Sequence, residues 1–184
     1  DYSVINIFKI APKAREIIEM QKHTYSTMSD FFCLVQIGMF RSNLVSVKQL
    51  AELFYMIAFE YFHYDNFKVV LEINSYGNEF LAHLPHVFEG NNNYGSSIFF
   101  RYKHKADAEE EKIGLKVGDN KNMLVKDYQD AMDKKRFVIN NEDNVREITT
   151  FVKHITPAGN VRYAADIGND DTVMTLVDTS SIFN

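Results

Sequence analysis

Cysteine is nearly absent from this chain and tryptophan wholly so: one Cys and no Trp in 184 residues. A lone Cys33 excludes an internal disulfide and any zinc site built from several thiolates. It lies in the apolar run Phe31-Phe32-Cys33-Leu34-Val35, where it reads as a small buried core residue, and it fits a reducing compartment. With three prolines and eight glycines, no low-complexity tract, internal repeat or inter-domain linker is visible. No apolar stretch reaches the roughly 18 residues needed to cross a bilayer. The opening residues lack the basic-then-apolar pattern of a secretory leader. An excess of positive charge is missing too. The formal net charge of −5 argues against nucleic-acid binding by the whole surface, though it leaves room for a local basic patch beside an acidic metal site.

What is present is core material. Apolar residues make up 46 % of the chain and aromatics 14 %, nearly all Phe and Tyr, enough for one domain with a single core. Residues 2–10 and 31–40 read as strands, the second ending in a polar turn at Arg41-Ser42-Asn43. Ser46 with Gln49 forms a capping box. The helix behind it carries Leu50, Leu53, Phe54, Ile57, Ala58 and Tyr61 at helical spacing. Residues 68–73 form a third strand, apolar enough to be buried on both faces of a parallel sheet. The turn at Ser75-Tyr76-Gly77-Asn78 leads into a short helix. A polar loop spans residues 89–97, and residues 98–102 are strand-like.

Further along, residues 122–136 read as a helix with Met123, Leu124, Tyr128 and Met132 inward. Residues 137–139 form a brief strand. Residues 142–154 read as a helix burying Val145, Ile148, Phe151 and Val152, broken by Pro157 and Gly159. Residues 161–164 form a last strand and residues 170–177 a last helix. The expectation is one α/β domain over residues 1–184, a mixed central sheet flanked by helices.

Three acidic features stand out. Glu72 interrupts Val69-Val70-Leu71-Glu72-Ile73, and a carboxylate buried there costs several kcal/mol unless it is paired or binds a cation. It also falls near the strand's C-terminal end, where α/β sheets place their sites. The bland alternative is a salt bridge or solvent exposure. Asp170 and Asp171 precede an apolar helix; helix capping explains such a pair as readily as chemistry does, yet adjacent carboxylates repel unless a cation or donor separates them. Asp1 precedes the first strand and by itself means little. Together the three suggest phosphodiester hydrolysis, which uses acidic oxygens from separate elements to hold two hard cations about 3.5–4 Å apart.

At these residues the chain resembles the nuclease domain of the large terminase subunit of tailed bacteriophages, whose fold is RNase H-like. Asp1-Tyr2-Ser3-Val4 resembles the start of that family's second strand. Val70-Leu71-Glu72-Ile73-Asn74-Ser75-Tyr76-Gly77 resembles its middle acidic motif. Gly168-Asn169-Asp170-Asp171-Thr172-Val173-Met174 resembles the last motif, and Lys112-Ile113-Gly114-Leu115-Lys116 with Lys121 the stretch before a long helix. The resemblance runs from end to end of the chain. It implies an endonuclease cutting concatemeric double-stranded DNA during genome packaging, with Mg2+ or Mn2+ as cofactor (two ions). Glu72 and Asp171 or Asp170 would be catalytic metal ligands and Asp1 a secondary one. Asp171 is favoured within the doublet because the ligand falls close to the helix start. The implied partners are DNA, a portal, a small terminase subunit and an ATPase domain, at the phage prohead in the host bacterial cytoplasm. The family's first strand, with its primary Asp, and the ATPase domain are expected upstream of this chain.

Residues 98–136 hold ten of the twenty Lys and Arg and eight acids. A solvated mixed-charge face accounts for that composition; contact with DNA phosphates is the functional reading. Arg101, Lys103 and Lys105, in a run without acids, are the candidate DNA-facing group, with Lys116 and Lys121. Asn91-Asn92-Asn93-Tyr94-Gly95 lacks Walker spacing and its Lys. His83 and His86 have no further zinc ligands nearby in sequence. Two rival functions stay open: a non-catalytic DNA-binding or assembly module of the same fold, and another RNase H-like nuclease such as a junction resolvase.

Overall fold

The structure is a computed structural model that describes residues 2–14, 28–58, 67–87, 98–102 and 110–183. Asp1, Lys103, Lys105, Tyr61 and the polar loop 89–97 lie outside these residues. The chain divides into two compact units, residues 43–118 forming one and residues 1–42 with 119–184 the other.

The discontinuous unit is built on a mixed sheet. Strand β1 (Ser3–Pro12) pairs antiparallel with β2 (Phe32–Ser42), from Ser3 opposite Ser42 to Pro12 opposite Phe32. The register shifts between Ile7 and Phe8. Ile7 faces Gly38 and Phe8 faces Gln36, so Ile37 is the extra residue of a bulge and stands 53 % exposed. Arg41 and Ser42 continue the strand; they are not the turn that their polarity suggested. The pairing with β1 carries β2 past the end of its apolar run.

On its other edge β2 pairs parallel with β5 (Phe137–Val138). The unit's helices are α3 (Lys121–Asp133), α4 (Glu142–Thr150) and α5 (Asp171–Ser180). Helix α5 packs on β1 and against α3 and α4. Its Val173, Leu176 and Val177 are completely buried. Phe137 joins sheet to helices, edge-on to Phe8 and Phe183 and tilted against Tyr128, with ring centroids 5.8–5.9 Å apart. Such contacts add to the area that aromatic rings bury.

Two helix readings need correction. The buried face of α3 is Leu124, Val125, Tyr128 and Ala131. Met123 points outward, 58 % exposed, because a stripe of positions 124, 128 and 131 already spans the two turns facing the core. Helix α4 ends at Thr150, and residues 151–155 form strand β6 (Phe151–Ile155), hairpinned with β7 (Val161–Ala165). The β-branched and aromatic run from Thr149 to Val152 suits a pleated ladder better than a helix, and stacked Phe151 and Tyr163 clamp the hairpin's base. The inward residues of α4 are polar, Asn144 and Glu147, while Val145 and Val152 are exposed.

The other unit contains α1 (Val47–Met56), α2 (Ser75–Val87) and the two-residue strands β3 (Arg101–Tyr102) and β4 (Lys112–Ile113), which pair antiparallel. The Ser46–Gln49 capping box forms as the sequence predicts. Helices α1 and α2 pack together around Phe54, whose ring meets Phe67, Phe80 and Phe99. The segment at 69–73 is extended. Val69 is bridged in parallel to Phe99 and Glu72 to Leu115, which supports the parallel reading, although these residues are half-buried and not enclosed on both faces.

Among the described residues, no helix is long and apolar enough to cross a membrane.

Two substitutions probe the packing. A Cβ on Gly77 would lie 2.0 Å from the Glu72 carbonyl oxygen, so Gly77→Ala should cost about 1–3 kcal/mol, the range of overpacking; urea unfolding followed by circular dichroism reads this. Tyr128 is 5 % exposed, and its hydroxyl has no partner among the described residues. Burial pushes its pKa from 10.0 to about 12, so the fold keeps the phenol neutral. That preference is fully present below pH 10, where the unfolded chain is also protonated. It is lost as pH rises toward 12, where the unfolded chain ionises first. Tyr128→Phe should therefore be neutral to slightly stabilising at pH 7 and should flatten the stability loss between pH 10 and 12 in unfolding titrations.

Candidate functional site

The acidic doublet opens α5. Asp170 is the residue before the helix and Asp171 its first residue. An Asp in that place ordinarily accepts from backbone N–H groups of the first turn, but Asp170 makes no side-chain capping bond. Its Oδ2 lies 3.4 Å from Lys121 Nζ at the start of α3. Asp171 turns the other way: its Oδ2 accepts from the Tyr2 backbone N–H at 3.1 Å. The two carboxylates thus have separate donors, which offsets the repulsion expected between neighbours.

Capping of α5 comes instead from Glu147 on α4. Its Oε2 accepts from the Thr172 backbone N–H at 2.9 Å and from the Thr172 hydroxyl at 2.6 Å. An anion at this end of a helix is favourable, since the orphan N–H groups and the helix dipole both attract it. Glu147 is 7 % exposed and is held from the other side by Arg41 of β2, Nη2 to Oε1 at 2.8 Å. The Arg41 guanidinium in turn lies over the Tyr2 ring, 4.0 Å from its centroid. Sequence reasoning missed Glu147, Arg41 and Tyr2. Asn144 and Glu147 do share a helix face by spacing, but nothing in the sequence separates that face from a solvated one.

Glu72, in the other unit, sits where the extended segment ends. Asn74 Oδ1 accepts from the Gly77 N–H at 2.8 Å, and the Asn74 carbonyl from the Asn78 N–H at 3.0 Å. Asn74 is therefore the cap of α2, with Glu72 two residues before it. The absent side chain at Gly77 lets the first turn of α2 lie against the Glu72 carbonyl. Asn74 and Gly77, the two residues that turn the chain, thus each have a mechanical reason.

The basic candidates divide. Arg101 and Lys116 are exposed in the unit that carries Glu72, and Arg101 Nη2 donates to the Glu111 carbonyl across the hairpin at 2.9 Å. Lys121 belongs to the other unit and faces Asp170, with the Phe151 ring 5.9 Å away. Within each unit, no group of three or more His, Cys, Asp or Glu able to hold a metal ion occurs among the described residues. The donor chemistry at the doublet nonetheless suits a hard cation: two carboxylates without a capping role, one already matched to an ammonium group.

No protein-family model and no curated protein matches the sequence. The chain is similar to the crystal structure of the large terminase nuclease from thermophilic phage G20c with bound cobalt. The TM-score is 0.59 at 16 % identity, covering 96 % of this chain and 81 % of that one. The chain has the fold of a phage large-terminase nuclease, a mixed sheet flanked by helices as the sequence predicts.

Because Glu147 supplies the cap, Asp170→Ala should change folding stability by no more than about 0.5 kcal/mol, as for a partly exposed ion pair. A loss above about 1 kcal/mol in urea unfolding would show Asp170 to be a structural cap after all.

Proposed function

We propose that this chain is the metal-dependent endonuclease domain of a phage terminase large subunit, with its two units serving one domain. It would hydrolyse phosphodiester bonds of concatemeric double-stranded DNA during packaging. The observation that carries this reading is the Asp170–Asp171 doublet, excused from the capping work that would otherwise explain it. The fold shared with a terminase nuclease crystallised with cobalt gives that observation its context.

Glu72, Asp171 and Asp170 would hold the metal, Mg2+ or Mn2+, with Asp1 as a secondary acidic group. Bound divalent ions would supply Lewis acidity, activating water and offsetting charge on the phosphate and the leaving 3′ oxygen. The protein's own part is placement. Tyr2 orients Asp171 through its backbone N–H. Lys121 neutralises Asp170 and would be free to meet a phosphate when a metal takes its place. Arg101, Lys103, Lys105 and Lys116 would contact the DNA backbone without reading sequence. In the intact terminase the partners would be an ATPase domain, a small subunit and a portal, at the prohead in the host cytoplasm.

The full-length protein should nick supercoiled plasmid with Mg2+ or Mn2+ and stop when the metal is chelated. Glu72→Ala and Asp171→Ala should each lower the rate at least a hundredfold, scored as relaxed circles on agarose. Cutting by Glu72→Ala at the parent's rate would overturn the assignment. DNA binding without metal-dependent cutting would instead point to a non-catalytic assembly module.

A further inference from the structure

We propose that Glu147, clamped by Arg41, is a positioning residue that sets the two carboxylates of the Asp170–Asp171 doublet for metal. This rests on the nuclease reading above, but its first test does not use cleavage. Glu147 reaches the first turn of α5 from a neighbouring helix and accepts both donors of Thr172. Thr172 directly follows Asp171 in the chain, so fixing its backbone N–H fixes the peptide that carries Asp171. Arg41 holds the second oxygen of Glu147 at 2.8 Å and covers the Tyr2 ring. The Tyr2 backbone N–H then returns to Asp171 Oδ2 at 3.1 Å. The contacts close a circuit through Tyr2 just before β1, through β2, α4 and α5, with Asp171 inside it.

Two features separate this circuit from ordinary packing. Glu147 is an anion at a helix terminus whose own Asp170 could have capped it, so the borrowed cap leaves Asp170 turned to Lys121 and Asp171 to Tyr2 instead of to the helix end. Glu147 itself is committed: Thr172 takes one of its oxygens and Arg41 the other, and it is buried. It serves as a fixed support and not as a ligand. Residues that orient metal ligands in this indirect way typically change affinity or activity by about 10–100-fold when removed.

The test uses the full-length protein and Mn2+ as the probe, titrated by calorimetry, with amide hydrogen exchange at Thr172 and steady-state cleavage of plasmid DNA. Glu147→Ala should weaken Mn2+ binding about tenfold or more and speed exchange at Thr172. It should lower kcat while leaving KM for DNA near the parent's value. Glu147→Gln keeps an acceptor for Thr172 but turns an NH2 toward Arg41, so it should recover part of the Mn2+ affinity. Should Glu147→Ala fail to fold, Thr172→Val removes only the hydroxyl bond and should weaken Mn2+ binding by a few-fold. Unchanged Mn2+ affinity in folded Glu147→Ala, or in folded Thr172→Val where that variant must stand in, would overturn the proposal. Loss of affinity in Glu147→Gln as severe as in Glu147→Ala would also overturn it, since charge and not the cap would then be the cause. A parent protein that binds Mn2+ without cutting DNA would count against the nuclease reading and leave this inference intact.

Discussion

One buried amide holds the discontinuous unit together. Gln36 lies in the middle strand and is 2 % exposed. Its Nε2 donates to Asn6 Oδ1 on β1 at 2.7 Å and to Asn144 Oδ1 on α4 at 2.8 Å. Its Oε1 accepts from the backbone N–H groups of Asn140 and Asn141, at 3.0 and 2.9 Å. Both donors and both lone pairs are used, the full capacity of an amide. A half-satisfied amide in this place would be costly, whereas a saturated one specifies a single arrangement of its neighbours. From it, Asn144 Nδ2 passes to the Thr172 carbonyl at 3.3 Å, and Asn6 donates to Thr175. The start of α5 is thus tied to the sheet by hydrogen bonds whose geometry tolerates little drift, while Val173, Leu176 and Val177 supply the apolar burial.

The electrostatics of the doublet follow from that arrangement. Helix α4 presents Asn144 to the amide network and Glu147, one turn on, to the end of α5. A hydrophobic face would have bound α5 as firmly but would have supplied no anion for its N-terminus. Asp170 would then have been drawn into capping. The polar face of α4 therefore decides what the aspartates are free to do.

The elements legible in the sequence were those whose signal is local. The Ser46–Gln49 box, the apolar strands read at 2–10 and 31–40 and the helix opening at the Asp170–Asp171 doublet each depend on a few adjacent residues, and each forms. Where the signal depended on a distant partner, reading failed. Asn144 and Glu147 look like solvent-facing positions until Gln36, Arg41 and Thr172 are placed beside them. Residues 151–154 look helical by spacing until β7 offers a ladder. Gln36 hides in an apolar strand: it shares the inward face with Leu34 two residues before it, and nothing adjacent in the sequence marks the distant partners that satisfy its amide. Glu72 was conspicuous for the opposite reason: a carboxylate in an apolar run is visible without knowing its partners.

The segment that carries Glu72 has a partner strand in two pieces. The N–H and carbonyl of Val69, the carbonyl of Leu71 and the N–H of Ile73 serve one edge, bonding first to residues 98 and 100 and then to residue 115. Gly114 N–H closes the gap by donating to the Phe100 carbonyl at 3.1 Å. A Cβ on Gly114 would lie 2.3 Å from an Ile73 carbon, and its φ of +80° suits only glycine. The excursion through β3 and β4 leaves and rejoins the same ladder without moving its register. That makes the hairpin an attachment whose length can change, by design for instance, while the segment that carries Glu72 keeps its place in the ladder.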